Sequence, residues 1–170
     1  VLVELSLEGY GPGGAAIMVQ TLSDNRNRSL QEVRNVFSRN GSNLGEAGCV
    51  SWIFEKRGTL EVSLEGQDAE ELELAAIDAG ADDVAAGPGC VWVYTAPENL
   101  EDVRRQLEEQ SITVASAEIS LEPSNTVTLN EKTGMQTLRL IDKLEELDDV
   151  QNVYSNADIP DDIVEQYHNG

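Results

Sequence analysis

Two groups of residues near the start of the chain have types and spacings that binding chemistry can use. The first is Gly9-Tyr10-Gly11-Pro12-Gly13-Gly14, in which Gly9, Gly11 and Gly14 satisfy G-x-G-x-x-G. The second is Asp24-Asn25-Arg26-Asn27-Arg28. Arginine offers planar paired donors to phosphate oxygens, and asparagine amides bond sugar hydroxyls or base edges. Tyr10 adds a ring on which a base can stack. In a dinucleotide fold the third glycine must open a helix so that the pyrophosphate sits on the helix N-terminus. Here Gly14 opens Ala-Ala-Ile-Met-Val-Gln-Thr, which reads as a buried strand. A kinase-type glycine loop would need Val-Ala-Ile-Lys, His-Arg-Asp and Asp-Phe-Gly elements, and the sequence has none of them. Two readings remain: a hairpin turn with glycines at positive φ, or a backbone surface that lets a large partner come close.

Spacing limits what the two groups can share. A strand over residues 15–22 spans about 25 Å, which puts Tyr10 and Arg28 at its opposite ends. Only a large partner, such as a nucleic-acid helix or a ribosomal surface, touches both. Arg39 belongs on the wet face of the following helix, and Lys56-Arg57 reads as a solvated turn. The candidate contacts for nucleic acid are therefore Tyr10, Asn25, Arg26, Asn27, Arg28, Arg39, Lys56 and Arg57. The competing reading for the arginines is pairing with the chain's surplus carboxylates, worth at most about 1 kcal/mol per surface pair.

Other chemistry finds little support. Cys49 and Cys90 are far apart and the single histidine, His168, is near the end. These assemble neither a four-ligand zinc site nor a nucleophile–base pair. Both cysteines fall in predicted strands and read as buried, reduced thiols. Asp148-Asp149 follows a predicted helix C-terminus, where negative charge is disfavoured. A turn role, a pair with an arginine of the first domain, and a metal site are all open there. No cofactor is expected, and paired carboxylates are too numerous to single out a catalytic pair.

Charge is the strongest compositional fact. The chain of 170 residues carries a formal charge of −21, spread as −1 over residues 1–56 and −20 over residues 57–170. Repulsion excludes uniform adhesion to nucleic acid over the second part, so any phosphate contact lies before Gly58. The acidic faces at Glu70, Glu71, Glu73, Glu108 and Glu109 read as solvated surface or as a match for a basic protein. No apolar run reaches the roughly 18 residues of a membrane span, and the start lacks the basic region and cleavage site of a signal peptide. The expectation is a cytoplasmic protein without a membrane partner.

The elements that must position these residues follow from periodicity and punctuation. Residues 1–7 and 15–21 read as strands flanking the glycine turn. Ser29-Leu30-Gln31-Glu32 is a capping box that starts a helix burying Leu30, Val33 and Phe37, and Asn40-Gly41 ends it. Residues 49–55 read as a strand with Val50, Trp52 and Phe54 inward. From Gly58 a complete βαββαβ set follows: strand 59–64, helix 68–79, hairpin 84–86 with 91–95, helix from Pro97, strand 112–121. Strand 126–129, helix 131–147 and strand 150–154 then complete a second such set with residues 15–56. The fold class is α+β, with two ferredoxin-like (βαββαβ) domains, one inserted into the other. The outer domain takes residues 1–57 and 122–170, the inserted one residues 58–121. The polar tail, 159–170, reads as loosely held.

Several blocks are long enough to be specific together: Leu7 to Gly14, Asp24 to Ser29 with Val33-Arg34, Asn43-Leu44-Gly45 with Gly48 to Ser51, Asp78 to Val84, and Leu144 to Tyr154. In this order they resemble the YebC/PmpR family, which includes the mitochondrial translational activator of cytochrome oxidase subunit I. The resemblance implies the same nested two-domain arrangement. It also implies a non-enzymatic regulator of gene expression, either a DNA-binding transcriptional regulator or a ribosome-associated translation factor. Family members usually carry a lysine-rich helical domain ahead of the Glu-Gly-Tyr-Gly-Pro-Gly-Gly block, and this sequence starts just before it. Contact with DNA or ribosomal RNA is then expected mainly through that domain and secondarily through Arg26, Arg28 and Arg39. The sequence here should bind nucleic acid weakly or not at all. The rival readings are a small-molecule-sensing module and a protein-interaction module for a basic partner such as a ribosomal protein.

Overall fold

The two apolar runs flanking the glycine turn fold back on each other. In the computed structural model, which describes residues 1–169, β1 (Val3–Tyr10) pairs antiparallel with β2 (Ala16–Ser23), in register from Val3↔Ser23 to Tyr10↔Ala16. The turn between them is a hairpin turn packed from below. Gly13 has φ +75°, and a Cβ there would lie 2.7 Å from Leu129 Cδ2. Both the conformation and the space demand glycine.

Helix α1 (Arg26–Arg39) begins four residues earlier than the capping box suggests. Asn25 is the cap, its side-chain oxygen accepting from the Arg28 N–H at 3.1 Å, and asparagine caps as well as serine does. Ser29 is instead buried inside the first turn. Val33 and Phe37 face the core as expected. After Asn40, β3 (Asn43–Leu44) pairs with Tyr10 and Gly9 of β1. Gly9 is pressed against it, since a Cβ there would meet the Asn43 carbonyl oxygen at 2.7 Å.

Residues 49–55 do not form the expected strand. A 3-10 turn spans Ser51–Ile53, and β4 (Phe54–Ser63) starts after it. Val50, Ile53 and Phe54 are buried while Trp52 is 69% exposed, so the alternation read from the sequence fails. The cause is Glu8. Its carboxylate accepts from the N–H groups of Gly48, Val50 and Ser51, which removes those donors from any ladder. Cys49 accordingly lies in a turn, half-buried, whereas Cys90 is buried in a strand.

The chain divides into two units, Val1–Phe54 with everything from Pro123 onward, and Glu55–Glu122. The expected boundary after Arg57 moves to Phe54, because Lys56 and Arg57 belong to β4 and not to a turn. The second unit runs β4, α2 (Ala69–Asp78), β5 (Asp83–Gly87), β6 (Cys90–Thr95), α3 (Leu100–Glu109), β7 (Val114–Pro123), with sheet order β5-β6-β4-β7. That is the ferredoxin-like order. Leu60, Val62, Leu72, Val91, Val93, Val103 and Leu107 form its core.

The first unit reaches the same architecture by a different strand assignment from the one expected. β8 (Val127–Thr128) does not join the main sheet; it pairs in parallel with β10 (Ala157–Asp158). The main sheet runs β3-β1-β2-β9, with β9 (Val150–Ser155) antiparallel to β2. β1, the first strand in sequence, occupies the place that the third strand holds in the usual order. Helices α1 and α4 (Glu131–Glu145) cover a core of Leu7, Ile17, Val19, Val33, Phe37, Leu140 and Leu144. Residues 159–169 of the tail are not loose, and Gly170 lies outside the described residues. α5 (Asp161–Asn169) buries Ile163, and its Tyr167 hydroxyl donates to Asp142 of α4. The fold is α+β with two ferredoxin-like domains. Among the described residues no helix is long and apolar enough to cross a membrane.

Candidate nucleic-acid interface

The Asp24 to Arg28 group is not a free loop but the cap and first turn of α1, and its chemistry is partly consumed within the fold. Asp149 is the reason. Its Oδ2 accepts from the Ser29 hydroxyl at 2.7 Å, the Ser23 hydroxyl at 3.1 Å and Arg28 Nη2 at 3.1 Å, and Arg28 also donates to Asp24 Oδ1 at 2.8 Å. The Ser29 hydrogen bond, together with Arg28 and Ser23, holds the Asp149 carboxyl below its ordinary value despite partial desolvation. Of the three readings open for Asp148-Asp149, the pair with an arginine of the first domain is the one that Asp149 makes. A negative charge awkwardly placed after α4 rests on the first turn of α1, where exposed N–H groups favour it. Arg28 is tied down and is not an open cation.

Arg26, Arg34 and Arg39 are exposed, and among the described residues none of them forms an ion pair. Asn27, Gln31, Arg34, Asn35, Ser38 and Arg39 make up the outward face of α1, which carries no carboxylate; Glu32 lies half-buried at its flank. In a chain of −21 this face stands out as basic. Arg34 was readable from the same helical period that placed Arg39, but its neighbour Val33 drew attention to the core. A cleft of ≈590 Å³ lies beside the start of α1, lined among others by Ser6, Glu8, Asn25, Arg26 and Asn27.

Tyr10 and Arg39 occupy the opposite end of this unit. β2 leads toward the start of α1 and α1 returns, so Arg39 ends four residues before Asn43, the partner of Tyr10 in the sheet. Four residues of chain reach at most about 14 Å. Tyr10 is 45% exposed, and its hydroxyl donates to the Cys49 carbonyl oxygen at 3.1 Å. Trp52 Nε1 donates to the same oxygen at 3.0 Å. The turn that presents them hangs on Glu8, which is 6% exposed. Burial pushes the Glu8 carboxyl up, but the three backbone N–H groups outweigh it and hold it below the usual value. The Cys49 thiol is pushed up by burial and by the Glu8 charge, which makes it a poor nucleophile.

Of the expected set, Asn25, Arg26, Asn27 and Arg28 come together at one end of α1, and Tyr10 and Arg39 at the other. The separation of Tyr10 from Arg28 read from the sequence is present. Lys56 and Arg57 lie in the other unit, on β4, where the Arg57 guanidinium sits 4.7 Å over the Tyr94 ring. Trp52 escaped the sequence reading because it was assigned to the core.

The molecule is thus one ferredoxin-like unit carried in a connection of another, with an exposed basic helix face on the outer unit. Residues 2–157 match the family described as the second and third domain of TACO1/YebC. The chain belongs to that family. It is 54% identical over 167 residues to a protein from Dehalococcoides mccartyi strain CBDB1 named as a probable transcriptional regulatory protein, covering 98% of this chain and 66% of the relative. A protein of the same name from Halothermothrix orenii is 52% identical over 162 residues, covering 94% and 64%. The crystal structure of a conserved hypothetical protein from Aquifex aeolicus superposes with a TM-score of 0.88 at 44% identity, covering 94% of this chain and 66% of that one. The chain spans just under two thirds of the length of these relatives.

Proposed function

We propose that the chain is the outer and inserted domains of a non-enzymatic regulator of gene expression that works by binding nucleic acid, in transcription, translation or both. The observation that carries this reading is the outward face of α1, where Arg34 and Arg39 stand without ion-pair partners among the described residues in an otherwise acidic molecule, with Arg26 likewise unpaired at the start of the helix. The names of the relatives point the same way. Three open cations along α1 give weak, salt-dependent contact, which suits a secondary surface beside a stronger one elsewhere in the full-length protein. Crosslinking of that full-length protein in cells, followed by sequencing of the recovered nucleic acid, tests the reading. Enrichment of ribosomal RNA assigns it to translation and of promoter DNA to transcription. Recovery no greater than from an untagged control overturns it.

A second reading has its own observation. Leu74 and Ile77 are exposed at 66% and 46%, one turn apart on α2 among Glu70, Glu71, Glu73 and Asp78. An apolar spot with an acidic surround fits a basic protein, and such an association weakens with salt. The small-molecule reading is less well supported. Thr137 Oγ1 is the buried side-chain polar atom left without a partner among the described residues, and Thr137 does not line the ≈590 Å³ cleft. That cleft has no buried group waiting for a ligand.

A further inference from the structure

Two aromatic side chains at the glycine-turn end of the first unit are exposed and yet fixed. Trp52 at 69% and Tyr10 at 45% both donate to the carbonyl oxygen of Cys49, at 3.0 and 3.1 Å. Exposed aromatics are often used at protein interfaces through their polar handle, the indole N–H or phenol O–H, which bonds the partner. Here both handles are consumed internally, and what remains for a partner is the ring faces. The carbonyl they share is held in turn: Gly48, Val50 and Ser51, on either side of Cys49, are pinned by the buried Glu8 carboxylate. Trp52 is thus set on a braced turn, and Tyr10, at the end of β1, is hydrogen-bonded to that turn.

The surroundings suit a chain of alternating rings and anions. Added Cβ atoms at Gly14, Gly41 and Gly48 would meet nothing within 4 Å, so backbone at this end is open to close approach. Arg39 ends α1 here, exposed and without an ion pair among the described residues, and Lys132 is the second residue of α4, which packs on the glycine turn. Exposed Glu46 and Glu131 are the carboxylates near them in the chain.

We infer that Tyr10 and Trp52 form a stacking platform for the unpaired bases of single-stranded nucleic acid, with Arg39 taking a flanking phosphate. Stacking needs no hydrogen bond from the ring and tolerates any base; a duplex, whose ring faces are already occupied, gains nothing from it. This inference rests on the nucleic-acid reading and narrows it to one strand and one end of the unit.

The test uses the ¹⁵N-labelled chain of 170 residues and a dodecamer of uridylate at low salt. The two indole N–H signals belong to Trp52 and to Trp92, on β6 of the other unit, which serves as internal control. Added oligonucleotide should shift the Trp52 signal saturably and leave Trp92 in place, and a duplex of equal length should leave both. Trp52→Ala should weaken binding of a labelled dodecamer by at least about fivefold, while Trp52→Phe, which keeps a ring, retains most of it. If the dodecamer binds but Trp52 is unmoved and Trp52→Ala binds within twofold of the parent, the platform is wrong while the basic face of α1 stands. If no oligonucleotide binds at all, the platform and the α1 face both fall as contacts of this chain, while the nucleic-acid reading of the full-length protein is decided by the crosslinking. A shift produced equally by duplex, or by a cationic peptide in place of the oligonucleotide, also overturns the assignment.

Discussion

Glu8 and Asp149 are acidic residues whose surroundings favour the charged form. Glu8 accepts three backbone N–H groups at 2.7, 3.0 and 2.7 Å. Glu8→Gln leaves at least one of those donors facing an amide N–H₂, and should cost about 2 kcal/mol of stability, read by urea denaturation. Both carboxyls lie below their ordinary values in the folded state. Their contribution to stability is therefore complete above the unfolded carboxylate range, near pH 4, and is lost as pH falls through the depressed folded values. The urea midpoint should drop on acidification through that window, and Glu8→Gln should flatten the drop. Asp149→Asn releases Arg28 from its main partner. It should lower stability yet tighten nucleic-acid binding and steepen its salt dependence, measured by anisotropy of a labelled oligonucleotide. Nothing in the sequence marked Glu8 as buried, because its position in an alternating strand reads as solvent-facing and the loop that covers it is some forty residues away.

Among the elements, those with a self-contained signal were legible and those defined by distant pairing were not. Helix α2 announced itself by period and its Asp68 cap, with Gly80 marking its end, and α3 by period and the proline at its approach. The hairpin of β5 and β6 was legible from its Gly-Pro-Gly turn. By contrast, Ser29 resembled a cap but was taken by Asp149, 120 residues away, and the cap fell to Asn25. β8 had the composition of a sheet strand, yet its backbone pairs with β10 while β1 fills the third place in the sheet. The tail reads as polar in composition, but Ile163 packs closely on α4, with its Cγ2 3.2 Å from where a Cβ on Gly134 would stand. Ile163→Ala should cost about 2 kcal/mol, seen as a lowered denaturation midpoint and faster exchange of α4 amides. Were α5 merely appended, the change would be silent.

For the molecule as a whole, the nesting is written in one contact: the Ser124 N–H donates to the Ile53 carbonyl at 2.7 Å. The chain leaves the first unit and returns to it at a single point, so the second unit, Glu55–Glu122, is an insertion that the first does not need for its own ladder. Residues 55–122 expressed alone should fold, with a dispersed ¹H-¹⁵N spectrum and a cooperative melt; a collapsed spectrum would show that the units depend on each other. The uneven charge was legible from composition alone. Which arginines remain open was not, since that depended on Asp149 returning to the start of α1.

The central claim is that polyanion contact by this chain runs through the basic face of α1 and not through the acidic inserted unit. The most direct measurement is the salt dependence of binding of a labelled oligonucleotide to the chain and to its Arg26→Gln, Arg34→Gln, Arg39→Gln triple variant. Fold is checked by melting, since exposed substitutions of this kind change stability by no more than about 0.5 kcal/mol. The account predicts that the triple variant loses most of its affinity and that the slope of log K against log salt becomes shallower by about 2 to 3. Equal affinity and slope in the two proteins would contradict it.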